Sequence, residues 1–210
     1  PLTHLRGAAE TALAGPPDVE RYREALADCV EEADRVLVML NTLMDISEAE
    51  SGAMQLTREQ IRLSDVAIRA EELYRDVADA KGVTLSLHKP PAEDDAVVMG
   101  DRPRLEQAAA NLVDNAVKYT PEGGRVDITV RASNGEAVLE VRDTGPGIPA
   151  DELPRVWDRL FRGDSSRTER GLGLGLSLVR AIVEAHGGKV EVVSELGKGT
   201  AFAITLHLVN

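Results

Sequence analysis

The chain has 210 residues, 43% of them hydrophobic, which is enough for one ordinary domain and a smaller second one. Its formal net charge of −12 and its lack of basic runs argue against nucleic acid or an anionic membrane as the main partner. The single cysteine, Cys29, excludes an intrachain disulfide and favours the cytoplasm. No apolar stretch reaches membrane-spanning length, so we expect any membrane anchor to lie outside this chain.

The first part of the chain is predicted to be a helical hairpin. A helix over 1–14 ends at Gly15-Pro16-Pro17, since prolines cannot continue an α-helix, and Asp18 caps the next helix. Apolar residues then recur at spacings of three and four as far as Ser51-Gly52, which is typical of a coiled-coil seam, and a second row widens the stripe. We expect residues 1–50 to form a homodimer with a four-helix bundle. The seam comprises Val19, Tyr22, Leu26, Cys29, Ala33, Val36, Leu40 and Leu43, and the second row comprises Val30, Leu37 and Met44.

A change of pattern predicts a first domain over 1–52 and a second over 53–210. The fold class is therefore α+β, with the second domain an α/β sandwich in which helices cover one face of one mixed sheet. The predicted elements are a strand near 55–63, a helix from a Ser64 cap to about Lys81, strands near 83–89 and 96–100, a helix near 102–119, strands 125–133 and 136–143 turning at Asn134-Gly135, a helix near 173–187, and strands 189–195 and 200–209.

Polar residues share one stripe of the helix near 102–119. Asn111, Asn115 and Lys118 stand at i, i+4 and i+7, which by itself is typical of a solvent-exposed face. Asparagine is a mediocre helix former, however, and its carbonyl oxygen is a ligand that Mg²⁺ accepts, so the stripe could hold a metal-bridged phosphate. Tyr119 could offer its ring to a base, or could equally be a residue at the edge of the core.

Two glycine-containing segments could complete a nucleotide site. Residues 143–147, Asp-Thr-Gly-Pro-Gly, could be an ordinary turn, but Asp143 at a strand end could accept the exocyclic amine of adenine and repel the guanine carbonyl. Residues 170–176, Arg-Gly-Leu-Gly-Leu-Gly-Leu, precede a helix, where backbone N–H groups and the helix dipole favour phosphate. This second segment is neither a dinucleotide fingerprint nor a P-loop.

Two further segments are weaker signals. The run Gly197-Lys198-Gly199-Thr200 joins the last two strands and alone indicates only a hairpin. Aromatic residues lie beside arginines in 157–162, which could form the hinge of a mobile lid with Arg162 near a terminal phosphate.

In their order along the chain, five segments resemble the N, G1, F, G2 and G3 boxes of sensor histidine kinases. They read NLVDNAVKYTP, DTGPGIP, WDRLFRG, GLGLGLSLV and GKGT, between about residues 105 and 206. The resemblance implies the Bergerat ATP-binding fold with ATP and Mg²⁺ as cofactors. It also implies transfer of the terminal phosphate to a histidine, for relay to an aspartate on the receiver domain of a response regulator.

The same resemblance implies a role for each matching residue. Asn115 is expected to bind Mg²⁺, Asn111 to support the metal and phosphate site, and Lys118 to contact phosphate. Tyr119 is expected to lie along the adenine and Asp143 to bind its amine. The remaining ATP-binding residues implied are Gly145, Gly147, Ile148, Arg162, Gly171, Leu172, Gly173, Leu174, Gly175 and Thr200.

Residues 1–50 resemble the dimerisation and phosphotransfer hairpin of that family, down to Pro1-Leu2-Thr3. There the phosphorylated histidine and its acidic neighbour precede the proline. We therefore expect a fragment, from the cytoplasmic portion of an inner-membrane sensor, that binds ATP without phosphorylating itself. His4 is expected to be an ordinary helix residue and His186 to be structural. Two other interpretations stay open, namely an ATPase clamp of the gyrase or mismatch-repair kind and a dimerising module that binds no nucleotide.

Overall fold

The structure is a computed structural model that describes residues 2–14, 19–91, 95–163 and 172–209. It divides into two compact units, Pro1–Asp45 and Ile46–Asn210. The division falls inside a helix rather than at residue 52, and Ile46 just beyond it is buried. Within the described ranges no helix is both long and apolar enough to cross a membrane.

The first unit contains helix α1, Leu2–Ala14, and helix α2, which begins at Val19 and continues into the second unit as far as Glu50. Arg21 donates a hydrogen bond to the Thr11 carbonyl oxygen (2.6 Å), and the Cys29 thiol lies 3.6 Å from the Leu5 carbonyl oxygen. These two contacts make the helices antiparallel, so the predicted hairpin is confirmed. The expected helix break and the Asp18 cap lie outside the described residues.

The apolar residues of α2 differ in exposure. In the predicted seam, Val19, Leu26 and Leu40 are 51–74% exposed, and the other five residues are half-buried. The second row stays exposed, with Val30 at 61%, Leu37 at 56% and Met44 at 61%. An apolar row of this length on one helix favours contact with another apolar surface. Dimerisation remains a prediction.

The second unit contains a five-stranded sheet with the strand order β2-β4-β5-β7-β6. Strands β2 and β4 are parallel, and the other neighbours are antiparallel. The elements after α2 are β1 (Glu59–Arg62), α3 (Leu63–Lys81), β2 (Thr84–His88), β3 (Val97–Gly100), α4 (Arg102–Tyr119), β4 (Arg125–Ser133), β5 (Glu136–Asp143), a 3-10 turn (Leu153–Arg155), α5 (Gly175–Ala185), β6 (Lys189–Glu195) and β7 (Gly199–His207).

Alternation along the strands explains why helices cover one face of this sheet. Val126, Ile128 and Val130 of β4 are buried, and Ile128 pairs with the buried Val141 of β5. Their neighbours point to the opposite, solvent-exposed face, as the period-two geometry of a strand requires. The expected sandwich is therefore confirmed. The apolar face of α4 packs on this core through Leu105, Ala108, Ala109, Leu112, Val113, Ala116 and Val117.

One expectation about the sheet is wrong. Strands β1 and β3 do not join the main sheet but form a separate two-stranded antiparallel sheet. They reach the end of β7 through a single bridge between Val98 and Leu208 and through the Val209 N–H, which donates to the Val97 carbonyl oxygen (2.8 Å). Each of these strands has four residues, and their pairing with each other uses all four.

Two boundaries also differ because a distant residue takes the expected local partner. Helix α3 begins at Leu63 without a side-chain cap, since the Ser64 hydroxyl donates to Asp95 (2.6 Å) instead of accepting from its own backbone. Strand β1 begins only at Glu59, because the Thr57 N–H donates to the Asp101 carboxylate (2.9 Å).

Candidate nucleotide site

Helix α4 carries the polar stripe and is held at both ends. At its start, Asp101 accepts a hydrogen bond from the Arg104 N–H (3.2 Å), which satisfies one of the open donors of the first turn. At its end, the Lys81 ammonium donates to the Val117 carbonyl oxygen (3.0 Å) and to that of Lys118. A cation at these carbonyls also complements the negative end of the helix dipole. Both ends of α4 are therefore fixed by side-chain hydrogen bonds, which holds the residues of the polar stripe in place.

The polar stripe faces the start of α5. Asn111 and Asn115 are half-buried, and the Asn111 amide nitrogen donates to the Gln107 carbonyl oxygen (2.8 Å). The Asn111 side-chain oxygen therefore points outward, toward Gly175. A methyl group on Gly175 would lie 2.9 Å from that oxygen and 3.8 Å from the Asn115 amide nitrogen. The structure thus brings together residues from the predicted N and G2 segments, which are so close that only glycine fits at position 175 without pressing on Asn111.

Asp143 stands at the end of β5, on the same face of the sheet as the core. It is 7% exposed, and its Oδ1 accepts from the Gly145 N–H (2.8 Å) and the Thr200 N–H (3.2 Å). Burial raises the pKa of this carboxyl, while the two backbone N–H groups act in the opposite direction. Both of these bonds end on Oδ1, so Oδ2 is the atom from which a ligand's amine could be bound.

The backbone of Tyr119 lies near this carboxyl, and Lys118 lies beside the Tyr119 ring. A methyl group on Gly145 would lie 2.9 Å from Asp143 Oδ1 and 3.0 Å from the Tyr119 carbonyl oxygen, so the loop after β5 closely approaches the end of α4. The Lys118 ammonium lies 5.1 Å from the centre of the Tyr119 ring, within cation–π range. The loop that follows Asp143 and the end of α4 that carries Tyr119 are therefore neighbours.

The loop after β5 is locked to the β6–β7 turn. Gly147 has a φ of +75°, and a methyl group there would overlap the Glu195 carbonyl oxygen. The Ile148 N–H donates to Ser194 Oγ (2.8 Å), which in turn lies 2.9 Å from Thr200 Oγ1. These contacts join the predicted G1 and G3 segments into one backbone cluster that supports Asp143.

The described part of the G2 segment is 172–179, and Gly171 lies outside the described residues. Gly173 has a φ of +69°, and its carbonyl oxygen accepts from the Leu160 N–H (2.8 Å). Leu174 is 3% exposed, so the segment is anchored immediately before α5. Arg162 is half-buried in the irregular stretch that follows Phe161.

Supporting residues that the sequence did not point to as site residues include Lys81 and Ser194. Lys81 closes a helix that lies far from it in the chain, and Ser194 sits in a strand where serine is an unremarkable residue. Neither contact has a local signature. A lysine in the last turn of α3 was the one visible hint, and it indicated a role at the end of its own helix.

The residue set fits a magnesium nucleotide. Side-chain amides suit Mg²⁺, and Gly145 and Gly175 stand where any larger side chain would press on Asp143 or Asn111. Across the described ranges, no cluster of three or more His, Cys, Asp or Glu could hold a metal ion.

Comparison with known proteins agrees with this geometry. Residues 100–210 match the family described as histidine kinase-, DNA gyrase B-, and HSP90-like ATPase. The chain is 38% identical over 208 residues to the sensor protein DivL of Caulobacter vibrioides, which covers 99% of this chain but only 26% of DivL. The chain thus spans a minor part of that relative.

Two solved structures extend the comparison. The mycobacterial sensor histidine kinase MprB is 32% identical, with a TM-score of 0.63, over 72% of this chain and 98% of that one. Full-length ShkA in complex with AMPPNP is 27% identical, with a TM-score of 0.78, over 99% of this chain and 44% of that one. The family match spans most of the sandwich, and MprB aligns over nearly all of its solved chain. The chain therefore belongs to the histidine kinase-, DNA gyrase B- and HSP90-like ATPase family, among the sensor histidine kinases.

Proposed function

We propose that the second unit binds ATP with Mg²⁺ and serves as the catalytic domain of a histidine protein kinase. The observation that carries this proposal is the arrangement along α4. Tyr119, at one end of the stripe, lies beside Asp143 and Gly145, whereas Asn111 and Asn115 lie beside Gly175. At 1.5 Å per residue, Asn111 and Tyr119 are roughly 12 Å apart along the helix, which separates a base site from a phosphate site.

The base site is selective for adenine in this proposal. Asp143 Oδ2 accepts the exocyclic amine of adenine, and the same oxygen repels the carbonyl that guanine carries at that position. Gly145 leaves room for a flat ring against the Tyr119 end of α4. Because Oδ1 is already held by two N–H groups, the carboxyl cannot rotate away from the base without leaving buried donors unpaired.

The phosphate site is formed by the start of α5 and by the α4 stripe. Backbone N–H groups at Gly173 and Gly175, together with the helix dipole, attract phosphate, and Lys118 adds a positive charge. Asn115 would hold Mg²⁺, supported by Asn111, and the ion would neutralise charge on the phosphates. ShkA, a relative that was solved with AMPPNP, supports a nucleotide at this site.

The terminal phosphate passes, in this proposal, to a histidine outside the 210 residues and then to an aspartate on the receiver domain of a response regulator. His4 is exposed on α1 and is not proposed as the acceptor. We propose that residues 1–50 pair two copies of the chain through the apolar row on α2, and that the assembly works in the cytoplasm. The similarity to sensor histidine kinases supports the two phosphate transfers.

Calorimetric titration with AMPPNP and Mg²⁺ tests the nucleotide site, with Asp143→Asn and GMPPNP as comparisons. Asparagine keeps an oxygen for the Gly145 and Thr200 N–H groups but turns an amide N–H₂ toward the adenine amine. We expect the wild type to bind AMPPNP, and the variant and the guanine analogue to bind about tenfold to a hundredfold more weakly, as for a lost hydrogen bond to a charged group. Equal affinities, or no binding by the wild type, would contradict the proposal.

Incubation with radiolabelled ATP tests the assignment of the acceptor. We expect no acid-labile label on the chain, with His4→Gln as the matched control. Label that appears on the wild type and disappears in that variant would show that His4 accepts phosphate and would refute this part of the proposal.

A further inference from the structure

Helices α4 and α5 meet, at the end away from the nucleotide site, on a buried histidine. His186 directly follows α5 and is 8% exposed. Its Nε2 accepts the Asp101 N–H at 2.9 Å, and its Nδ1 lies 2.7 Å from the Ile182 carbonyl oxygen. A neutral ring with its proton on Nδ1 satisfies both bonds. The ring therefore links the last turn of α5 to the residue that caps α4.

The His186 ring is tightly packed against the end of β3. A methyl group on Gly100 would lie 2.9 Å from His186 Cδ2 and 2.9 Å from Leu105 Cδ1, so the end of β3 closely contacts both helices. Asp101 also accepts the Thr57 N–H on Oδ2, which ties the segment after α2 to the same point. A small displacement of the ring cannot be absorbed by empty space at this junction.

The start of α5, at Gly175, is the end that lies in the proposed phosphate site. The helix has 11 residues, hence a length of roughly 16 Å, and it runs antiparallel to α4 from Gly175 to the ring of His186. No side chain caps its start beside Asn111. Burial of Leu174 and the hydrogen bond to the Gly173 carbonyl oxygen hold the segment before this start, and the hydrogen bonds of the His186 ring fix the far end. The position of Gly175 therefore depends in part on a contact that no ligand touches.

We propose that His186 is a positioning residue: by accepting the Asp101 N–H it sets where α5 lies along α4, and so keeps the Gly175 end in the nucleotide-binding position. The inference rests on the proposed nucleotide function of the site. It differs from a purely structural role, which would change the stability of the fold and leave the affinity of the folded protein unaltered.

Removal of the acceptor should reduce the fraction of molecules in which α5 is correctly placed. Apparent affinity falls by the same factor as that fraction. A single hydrogen bond has a net worth that corresponds to about a threefold to tenfold population difference. The competent fraction can fall by no more than this factor, so the dissociation constant for AMPPNP with Mg²⁺ should rise by at most about tenfold.

The test is a matched pair of substitutions, His186→Gln and His186→Asn. The glutamine amide oxygen reaches the place of Nε2 and can accept the Asp101 N–H, whereas the shorter asparagine reaches only the Ile182 carbonyl oxygen. Titrations of the whole chain are made at a temperature at which circular dichroism shows both variants to be fully folded. We expect a measurable rise in the dissociation constant, up to about tenfold, for asparagine and a return close to the wild-type value for glutamine.

Each other outcome overturns the proposal. Wild-type affinity in the asparagine variant would leave His186 a role in stability alone, and an equal loss in both variants would assign the effect to packing of the ring. If the wild type itself fails to bind AMPPNP, the nucleotide function fails and this inference with it. A nitrogen-15 spectrum of the histidine rings gives an independent check, since a proton found on His186 Nε2 would exclude that atom as an acceptor.

Discussion

Substitution of Gly147 by alanine should disrupt the contact between the loop after β5 and the β6–β7 turn. Gly147 has a φ of +75°, in the left-handed region, which costs about 1–2 kcal/mol for a residue with a Cβ. The new methyl group would also overlap the backbone carbonyl of Glu195, and a backbone shift of this kind costs about 1–3 kcal/mol. We therefore expect Gly147→Ala to lower the free energy of unfolding of the second unit by about 2–5 kcal/mol.

Gly197 is the matched control. It lies in the same cluster with a φ of +77°, but nothing stands within 4 Å of the position its methyl group would take. Gly197→Ala should therefore show the backbone cost alone, about 1–2 kcal/mol. At about 2–4 °C per kcal/mol, the melting temperature should fall by about 4–20 °C for Gly147→Ala and by about 2–8 °C for Gly197→Ala.

Fluorescence of Trp157 is a suitable signal for these melts. It is the only tryptophan of the chain, and its ring packs edge-on against Phe202 of β7, with centroids 5.7 Å apart. The three proteins are compared at one concentration and one pH. Equal losses in the two variants would show that the Glu195 backbone moves aside, and the description of the two loops as a locked cluster would then be wrong.

Four further predictions follow from the site and its supports. Gly175→Ala should keep its stability, because alanine is the better helix former, but should weaken AMPPNP binding in calorimetry by displacing Asn111; an unchanged affinity would place Asn111 away from the phosphates. Burial raises the pKa of Asp143 above its usual 3.8, so the folded protein is less stable when this carboxyl is ionised. Asp143→Asn should therefore have a higher melting temperature than the wild type at pH 7, and the difference should vanish as the pH falls toward 3.8. Burial lowers the pKa of His186 below its usual 6.5, so the stability that the neutral ring contributes is fully present above pH 6.5 and is lost as the pH falls below it. In urea melts, a fall in pH below 6.5 should therefore lower the free energy of unfolding of the wild type more than that of His186→Gln. Lys81→Met should lower the melting temperature by about 2–4 °C through loss of the α4 cap, whereas Lys81→Arg should not, and equal melting of the two would argue against the cap.

The fold was predictable wherever local signals agree with the packing. The Asn134-Gly135 turn, with Asn134 at a φ of +54°, fixes the β4–β5 hairpin at the expected residues. Helix α4 has its expected bounds because its start has a capping aspartate and its apolar face has one period throughout. Ser64 was assigned wrongly, because its hydroxyl bonds to Asp95, a residue that comes much later in the chain.

The candidate site was predictable in its parts but not in its assembly. Helical spacing placed Asn111 and Asn115 on one stripe, and strand alternation placed Asp143 at the end of a buried face. The approach of Gly175 to Asn111 depends on how two helices pack, which no spacing along the chain encodes. For His186, the sequence indicated a structural residue, and only the structure identifies Asp101 as its partner.

The exposed row of Val30, Leu37 and Met44 makes protein concentration an experimental variable. If a second copy covers this row, mass action ties the melting temperature of the first unit to the amount of protein in the cell. The helical signal of circular dichroism would then shift with dilution. Trp157 lies in the other unit and reports on it separately. Two signals followed in one dilution series would therefore separate assembly of the hairpin from the integrity of the nucleotide site.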